Sequence, residues 1–370
     1  MHIPLVDLKA QYQTIKPKID ETIQKVISEA AFVKGKYVAD FENEFKIKYG
    51  VKHCISVANG TDAIYIVLKM LGIEKGDEVI TVANTWISSS ETISQTGGTP
   101  VFVDTEPDYF SINPALIEEK ITSKTRAILP VHLYGQPADI IKIREICSKH
   151  CLVLIEDCAQ SHFAEFENQK VGTFGMAATF SFFPGKNLGA YGDAGAIITN
   201  DDEFAEKLRR FANHGSLIKH EHTMEGINSR MDGLQAAILS VKLPYIDLWN
   251  ETRLKLALYY NDRLSDIEQI QIPKIRHNVK HVFHIYCVRA KCRTELSEFL
   301  NRNGIDSSIH YPTALPNMPA YSYMNHKPSD FPVASAYQDE ILSLPIYPEL
   351  THSQIDFIVE KIREFYSSTR

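Results

Sequence analysis

Thr179-Phe-Ser-Phe-Phe-Pro-Gly-Lys-Asn-Leu-Gly-Ala-Tyr-Gly-Asp-Ala-Gly195 sets a single lysine, Lys186, between an aromatic β-like run and a glycine-rich turn. Phe180, Phe182 and Phe183 precede it, and Gly189, Gly192 and Gly195 follow. An ammonium group in such apolar company is partly desolvated. Desolvation lowers its pKa and leaves an amine able to attack a carbonyl, the property wanted in a Schiff-base lysine. A lysine that merely closes a buried hairpin fits this stretch equally well, so the flanking sequence has to decide.

Upstream of it stand Glu78-Val-Ile-Thr-Val, Pro100-Val-Phe-Val-Asp, Ala127-Ile-Leu-Pro-Val-His-Leu and Leu152-Val-Leu-Ile-Glu-Asp. Each is short, apolar and bounded by polar or glycine-containing sequence, and segments such as Ile140 to His150 between them have helical periodicity. This alternation predicts an α/β domain around a largely parallel sheet buried on both faces. Ligands of such sheets gather beyond the carboxyl ends of the strands, which singles out Trp86, His132, Tyr134, Asp157 and Gln160. A carboxylate such as Asp157 at a buried strand end is costly unless a cation or hydrogen-bond donors meet it. An arginine or a helix N-terminus would serve; so would the protonated heteroaromatic nitrogen of a cofactor, on whose ring Trp86 could stack.

Further upstream, the strand-like His53-Cys-Ile-Ser-Val-Ala runs through Asn59-Gly-Thr-Asp-Ala into an apolar helix, Ile64 to Leu71. Backbone N–H groups at such a helix start can hold a phosphate, with Gly60 permitting close approach and Thr61 adding a hydroxyl. Taken alone, the motif favours the plainer reading of an N-cap by Asn59 or Thr61.

Two helices, Gln11 to Ser28 and Val38 to Tyr49, are expected at the start of the chain. Downstream of the lysine come a strand from Gly195 to Asn200, a helix from Glu203 to Ala212, and helical spacing from Met231 to Leu248 and Leu254 to Leu264. The polar loop between, His214 to Arg230, holds His214, His220 and His222 but no cysteine or carboxylate at ligand spacing, and it reads as a loop near an interface rather than a metal site. A compact α+β unit closes the chain: a strand from His284 to Arg289, a helix from Thr294 to Asn303, a strand from Asp306 to Tyr311 and a helix from Ser353 to Tyr366. Pro312, Pro316, Pro319, Pro328 and Pro332 mark a long loop there. The expected division is a large domain over 1–250 and a small one over 251–370.

The chain has 370 residues, 44% of them hydrophobic, enough for a large core. A net charge of −7 leaves no basic excess for nucleic acid. Six cysteines without CxxC spacing argue against zinc and a disulfide framework. No segment has the length and apolarity of a membrane span, and Met1-His-Ile-Pro-Leu-Val-Asp-Leu lacks a signal-peptide pattern, so a soluble cytoplasmic protein is expected.

With Asn59-Gly-Thr-Asp-Ala, Asn84-Thr-Trp, Pro130-Val-His-Leu-Tyr-Gly-Gln, Glu156-Asp-Cys-Ala-Gln, Ser181-Phe-Phe-Pro-Gly-Lys-Asn-Leu-Gly, Asn228-Ser-Arg-Met-Asp and His310-Tyr-Pro in order, nearly the whole chain resembles the DegT/DnrJ/EryC1/StrS family of sugar-nucleotide aminotransferases. The resemblance implies an α/β, aspartate aminotransferase-like fold of type I, with a mostly parallel seven-stranded sheet in the large domain. It also implies the cofactor pyridoxal 5′-phosphate. Lys186 would form the internal aldimine and, once displaced, act as base and acid of the proton shift. Asp157 would pair with the pyridinium nitrogen, Gln160 with the ring hydroxyl, and Trp86 would stack on the ring. Gly60, Thr61 and Ser181 would hold the phosphate, with Asn228 reaching it from the other subunit of a homodimer with shared active sites. Tyr191, His214, His310 and Tyr311 would be substrate neighbours.

Asn228-Ser-Arg and Gln235-Ala-Ala-Ile-Leu resemble members that aminate C3 of a nucleotide-linked 3-keto-6-deoxyhexose, dTDP-linked first and UDP-linked second, with L-glutamate as amino donor. Amination at C4, or a regulatory member without turnover, are the alternatives. Members that dehydrate a deoxysugar carry histidine in place of the lysine, so Lys186 speaks for transamination. Two departures from the family pattern stand out: Phe163 in Ser161-His-Phe163 is expected to change local packing, and Gly233 in Asp232-Gly-Leu to loosen a helix start.

Overall fold

Short runs of β-branched and apolar residues form one seven-stranded sheet in the computed structural model, which describes residues 2–368. The strands are β1 (His53–Val57), β2 (Glu78–Val82), β3 (Thr99–Val103), β4 (Thr125–Leu129), β5 (Val153–Asp157), β6 (Ala177–Ser181) and β7 (Gly195–Thr199), in the order β1-β7-β6-β5-β4-β2-β3. Pairing is parallel from β6 through β3, and β7 runs antiparallel to both β6 and β1. Side chains alternate across the sheet. Ile80, Ile128, Leu154, Phe180 and Ile198 share one core with Ile15 and Ile19 of helix α1 (Leu8–Ser28) and Phe41 and Phe45 of α2 (Lys36–Tyr49). Val79, Leu129, Ile155 and Ile197 face the other core, with Ile64 and Val67 of α3 (Gly60–Met70). Both faces are therefore covered, as the near-continuous apolar runs require.

The aromatic run ahead of the lysine obeys the same alternation. Phe180 and Phe182 are buried against Phe45, with ring centroids 5.2 and 5.5 Å away, while Ser181 between them turns to the opposite face. Phe163 joins this cluster, stacked on Tyr49 at 4.4 Å, and its N–H donates to the Tyr49 hydroxyl at 2.9 Å. The bulky departure at Phe163 is thus a packing partner of α2. Gly233 serves close approach rather than loosening: a Cβ there would lie 2.1 Å from the Ala31 carbonyl oxygen, and its own N–H donates to the Phe32 carbonyl.

The C-terminal unit is built on a three-stranded antiparallel sheet of Ile270–Gln271, Tyr286–Ala290 and Ile341–Leu344. Helices Arg293–Arg302 and His352–Ser368 cover it. Ile3 belongs to this second core and pairs with Ile305, so the start of the chain returns to its end. The long helix Ile246–Leu264 contributes Ile246 and Trp249 to the large core and Leu256, Tyr260 and Leu264 to the small one.

Two expected elements need correction, and one helix was not foreseen. The helix expected from Met231 to Leu248 is broken: it runs Gly233–Lys242, and a 3-10 turn over Leu243–Tyr245 intervenes where Pro244 cannot donate to a continuing α-helix. Asp306 to Tyr311 is no strand; only Ser308 bridges to Ser343, and Ile341–Leu344 takes the place in the sheet. The His310 and Tyr311 side chains instead line a cavity together with Asp157 and Lys186. Ser88–Thr96 is a helix, α4, that apolar periodicity does not announce because its turns are rich in serine and threonine. Among the described residues no helix is long and apolar enough to cross a membrane.

Candidate active site

The segments that follow β1, β2, β4, β5 and β6, together with Asp193 just ahead of the antiparallel β7, converge on a cavity of about 470 Å³. Because the sheet is parallel there, these carboxyl ends lie on one side, and residues far apart in sequence share one wall. Gly60, Thr61, Trp86, Asp157, Gln160, Ser181, Lys186, His310 and Tyr311 all line it.

Lys186 sits in a tight turn that is closed by a close backbone approach at Gly189. The Lys186 N–H donates to the Phe183 carbonyl at 2.8 Å, and a Cβ on Gly189 would lie 2.2 Å from the Pro184 carbonyl oxygen. Burial pushes the amine down to about 8, with the Asp157 carboxylate pulling the other way. At neutral pH an appreciable fraction is therefore unprotonated and nucleophilic.

Asp157 is buried, and burial raises its pKa; the Ala159 N–H (3.0 Å), Lys186 and the Ser89 hydroxyl (3.2 Å) hold it back. Both hydrogen-bond donors are neutral. Lys186 acts on the carboxylate only through space, and a hydrogen-bonded cationic nitrogen would suit it further.

Its neighbour Glu156 points to the other face of β5 and accepts backbone N–H groups from Gly172 (2.7 Å), Phe174 (2.8 Å) and Gly175 (2.8 Å). His132 Nδ1 accepts from the Ala138 N–H at 3.0 Å, so its Nε2 carries the proton and donates to Glu156 at 3.1 Å. Cys158 completes a His, Glu and Cys cluster of metal-ligand type, but the ligating lone pairs of His132 and Glu156 are already engaged. The cluster is a buried clamp holding the strand end that carries Asp157. Glu156→Gln exchanges an acceptor oxygen for a donor among these N–H groups and is expected to cost roughly 3 kcal/mol. Chemical denaturation would measure it; unchanged stability would argue against the clamp.

Gln160 is oriented unambiguously. Its Oε1 accepts from the Tyr134 N–H at 2.6 Å, and its Nε2 donates to the Tyr311 hydroxyl at 3.0 Å. Tyr134, at a positive φ of 59°, donates its hydroxyl to the His310 carbonyl, so the segment holding His310 is tied to the turn after β4 at the site. Trp86 is 57% exposed despite its size, with its ring 5.6 Å from that of Tyr311. An open aromatic face over a cavity suits a stacking ring.

At the opposite end Asn59 caps α3, its Oδ1 accepting from the Asp62 N–H at 2.8 Å. Thr61 Oγ1 meets Ser88 Oγ at 2.6 Å. A Cβ on Gly60 would lie 2.6 Å from Cβ of Ser181, and one on Gly195 would lie 2.4 Å from the Asn59 carbonyl. The Asn59 cap thus leaves the Gly60 and Thr61 end of the helix facing Ser181, an arrangement that suits a phosphate. Gly60→Ala should force Ser181 away and weaken cofactor binding about tenfold or more. Titration of the visible band of the bound cofactor would measure this, and wild-type affinity would sink the cradle.

Tyr191, His214 and Asn228 do not line this cavity. Tyr191 lies behind the lysine turn, with Nζ of the buried Lys242 4.2 Å from the centre of its ring. His214 and Asn228 lie in the segment after Phe211, where Asn228 bridges to Asn213. Sequence reasoning passed over Ser89, which offers Asp157 a hydroxyl, and His284, which it placed inside a strand that begins two residues later. The run Ser88-Ser-Ser90 after Trp86 was the available signal for the first.

An amine of lowered pKa, a buried carboxylate hydrogen-bonded only to neutral donors and a helix start pressed against a serine match the aldehyde, ring nitrogen and phosphate of pyridoxal 5′-phosphate. The residues present fit that group, which supplies an electron sink when bound. The model of the DegT/DnrJ/EryC1/StrS aminotransferase family matches residues 13–363. The chain is 46% identical to the "Pleiotropic regulatory protein" of Geobacillus stearothermophilus, over 99% of both chains. It is 39% identical to the dTDP-3-amino-3,4,6-trideoxy-alpha-D-glucose transaminase of Streptomyces venezuelae, over 98% of this chain and 96% of that one. The crystal structure of S. venezuelae DesV in complex with a ketimine intermediate superposes with a TM-score of 0.96 at 39% identity, covering 98% of each chain. The expected fold type and cofactor are thereby established, and the chain belongs to the DegT/DnrJ/EryC1/StrS aminotransferase family of pyridoxal 5′-phosphate-dependent transaminases.

Proposed function

We propose that the protein transfers an amino group from L-glutamate to C3 of a nucleotide-linked 3-keto-6-deoxyhexose, dTDP being the nucleotide, in deoxyaminosugar biosynthesis in the cytoplasm. The convergence of Lys186, Asp157, Gln160 and the Gly60, Thr61 and Ser181 cradle on one cavity carries this reading. In it, Asp157 holds the ring nitrogen, Gln160 the ring hydroxyl, Trp86 covers the ring, and Lys186 moves the proton. His310 and Tyr311, which line the same cavity, would meet the sugar.

We further propose a homodimer with shared sites. Lys186 is the sole lysine or arginine among the residues lining the cavity, whereas a cofactor phosphate, a nucleotide diphosphate and glutamate all bring negative charge. The segment from His214 to Arg230 holds Lys219, Arg230 and Asn228, and presents exposed Leu217 and Ile218; Phe32, Val33 and Phe183 are exposed as well. A second copy delivering that segment to the cavity mouth would provide the missing cations and Asn228, and would bring His214 to the substrate.

The test uses purified holo-protein. L-Glutamate should bleach its visible band, and a dTDP-linked 3-keto sugar should restore it. Restoration by a UDP-linked 3-keto sugar or a 4-keto sugar alone would move the assignment to those substrates. The name of the Geobacillus relative supports a second reading, regulation without turnover; a band that glutamate leaves untouched would favour it.

A further inference from the structure

His284 lines the cavity with Lys186, yet none of the cofactor's three handles needs it. Its surroundings determine which ring nitrogen carries the proton. Buried Arg253, on the helix Ile246–Leu264, donates from Nη1 to the carbonyls of Ile346 (2.8 Å), Phe283 (3.3 Å) and His284 (3.5 Å), pinning the backbone. Asn187, next to Lys186 in sequence, holds the ring. Its Nδ2 donates to Asn250 Oδ1 at 2.8 Å and to the Val282 carbonyl at 3.0 Å. A backbone carbonyl only accepts, so the orientation of the amide follows, and Asn187 Oδ1 is what faces His284 Nδ1 at 3.2 Å. That nitrogen must be the donor. Burial, reinforced by nearby Lys186 and Arg253, holds the imidazole well below its usual pKa and hence neutral. A neutral ring with its proton on Nδ1 leaves a lone pair on Nε2, and among the described residues no protein donor takes it.

We propose that His284 is a positioning residue for the catalytic amine: its Nε2, bare because Asn187 claims Nδ1–H, accepts a hydrogen bond from Nζ of Lys186 when substrate displaces that amine during turnover. The inference rests on Lys186 being the catalytic amine of the proposed transamination. A lysine side chain released into a cavity regains the freedom of a flexible four-carbon stem. An acceptor fixed to the residue next to that lysine moves with it, and so holds the amine in one direction for proton transfer. The helix Ile246–Leu264, through Asn250 and Arg253, anchors both sides of the arrangement.

The experiment follows the single-turnover bleaching of the visible band of holo-protein by L-glutamate. His284→Phe is expected to slow the saturated rate about 10- to 100-fold while leaving the half-saturating glutamate concentration near the wild-type value. His284→Gln, whose Oε1 can stand where Nε2 stood, should recover most of the rate. His284→Asn, whose amide reaches only the Nδ1 position, should not. Wild-type rates in His284→Phe would overturn the proposal. Equal losses in the Gln and Asn variants, accompanied by equal losses of melting temperature, would also overturn it in favour of plain packing. The wild-type trace separates the two readings: if wild-type protein does not bleach, the transamination itself fails and the positioning role with it, whereas bleaching unaffected by His284→Phe removes only the role of His284.

Discussion

Lys186→Ala is expected to yield a folded protein that binds the cofactor noncovalently without the wild-type visible band, and whose amino transfer from glutamate falls by at least about 10⁴-fold. The size of the effect follows from one amine doing two jobs. In the proposed reaction its lowered pKa, about 8, suits it to capture the aldehyde, and the same amine serves as the base at the substrate carbon. Alanine removes both and leaves the surrounding hydrogen bonds intact, because the turn is held by backbone groups: Lys186 N–H to Phe183 and Ala190 N–H to Phe182. Absorbance and single-turnover rates would measure the outcome. A variant that keeps the wild-type spectrum would place the anchor elsewhere.

Asp157→Asn is expected to retain the fold and slow turnover about 10²- to 10³-fold. The Ser89 and Ala159 donors can still bond an amide oxygen, so the local structure has a neutral replacement, while the charge proposed to keep the ring nitrogen protonated is gone. The same change has a second, opposite-signed signature. Asp157 is the group that raises the Lys186 pKa against burial, so its removal should move the amine further below about 8. Cofactor capture by apo-protein, whose rate rises with pH through that value, should therefore shift its midpoint to lower pH in Asp157→Asn. An upward shift, or an unchanged turnover rate, would remove Asp157 from its role.

The α/β character, the strand-end positions of Asp157 and Gln160, and the turn at Lys186 were legible because they depend on local pattern: apolar runs of strand length, glycines, and breaks in periodicity. Helix boundaries followed closely where apolar periodicity was strong, as in Ile140–His150, and failed where something else decided them. The helix Ser88–Thr96 has few apolar residues to count, and the break at Pro244 depended on a single residue. The stretch from Asp306 to Tyr311 looks like a strand but gives its rings to the cavity, since Ile341–Leu344, nearly 40 residues later, fills the ladder position. Gly233 was read as a weakness because the Ala31 carbonyl that crowds it is two hundred residues away.

The sequence by itself determined that a lysine of nucleophilic character, a strand-end carboxylate and a glycine helix start exist in one α/β chain. Each of these is written in a few consecutive residues whose solvation and backbone freedom are local properties. Only the tertiary structure decided that they share one cavity, that Glu156 and Asp157 point to opposite faces for opposite purposes, and that His284 lines the same cavity as Lys186 with its Nδ1 claimed by Asn187. Those outcomes depend on which strands are neighbours and on which group claims each hydrogen-bonding atom, and both are set by contacts between segments that the linear order keeps far apart.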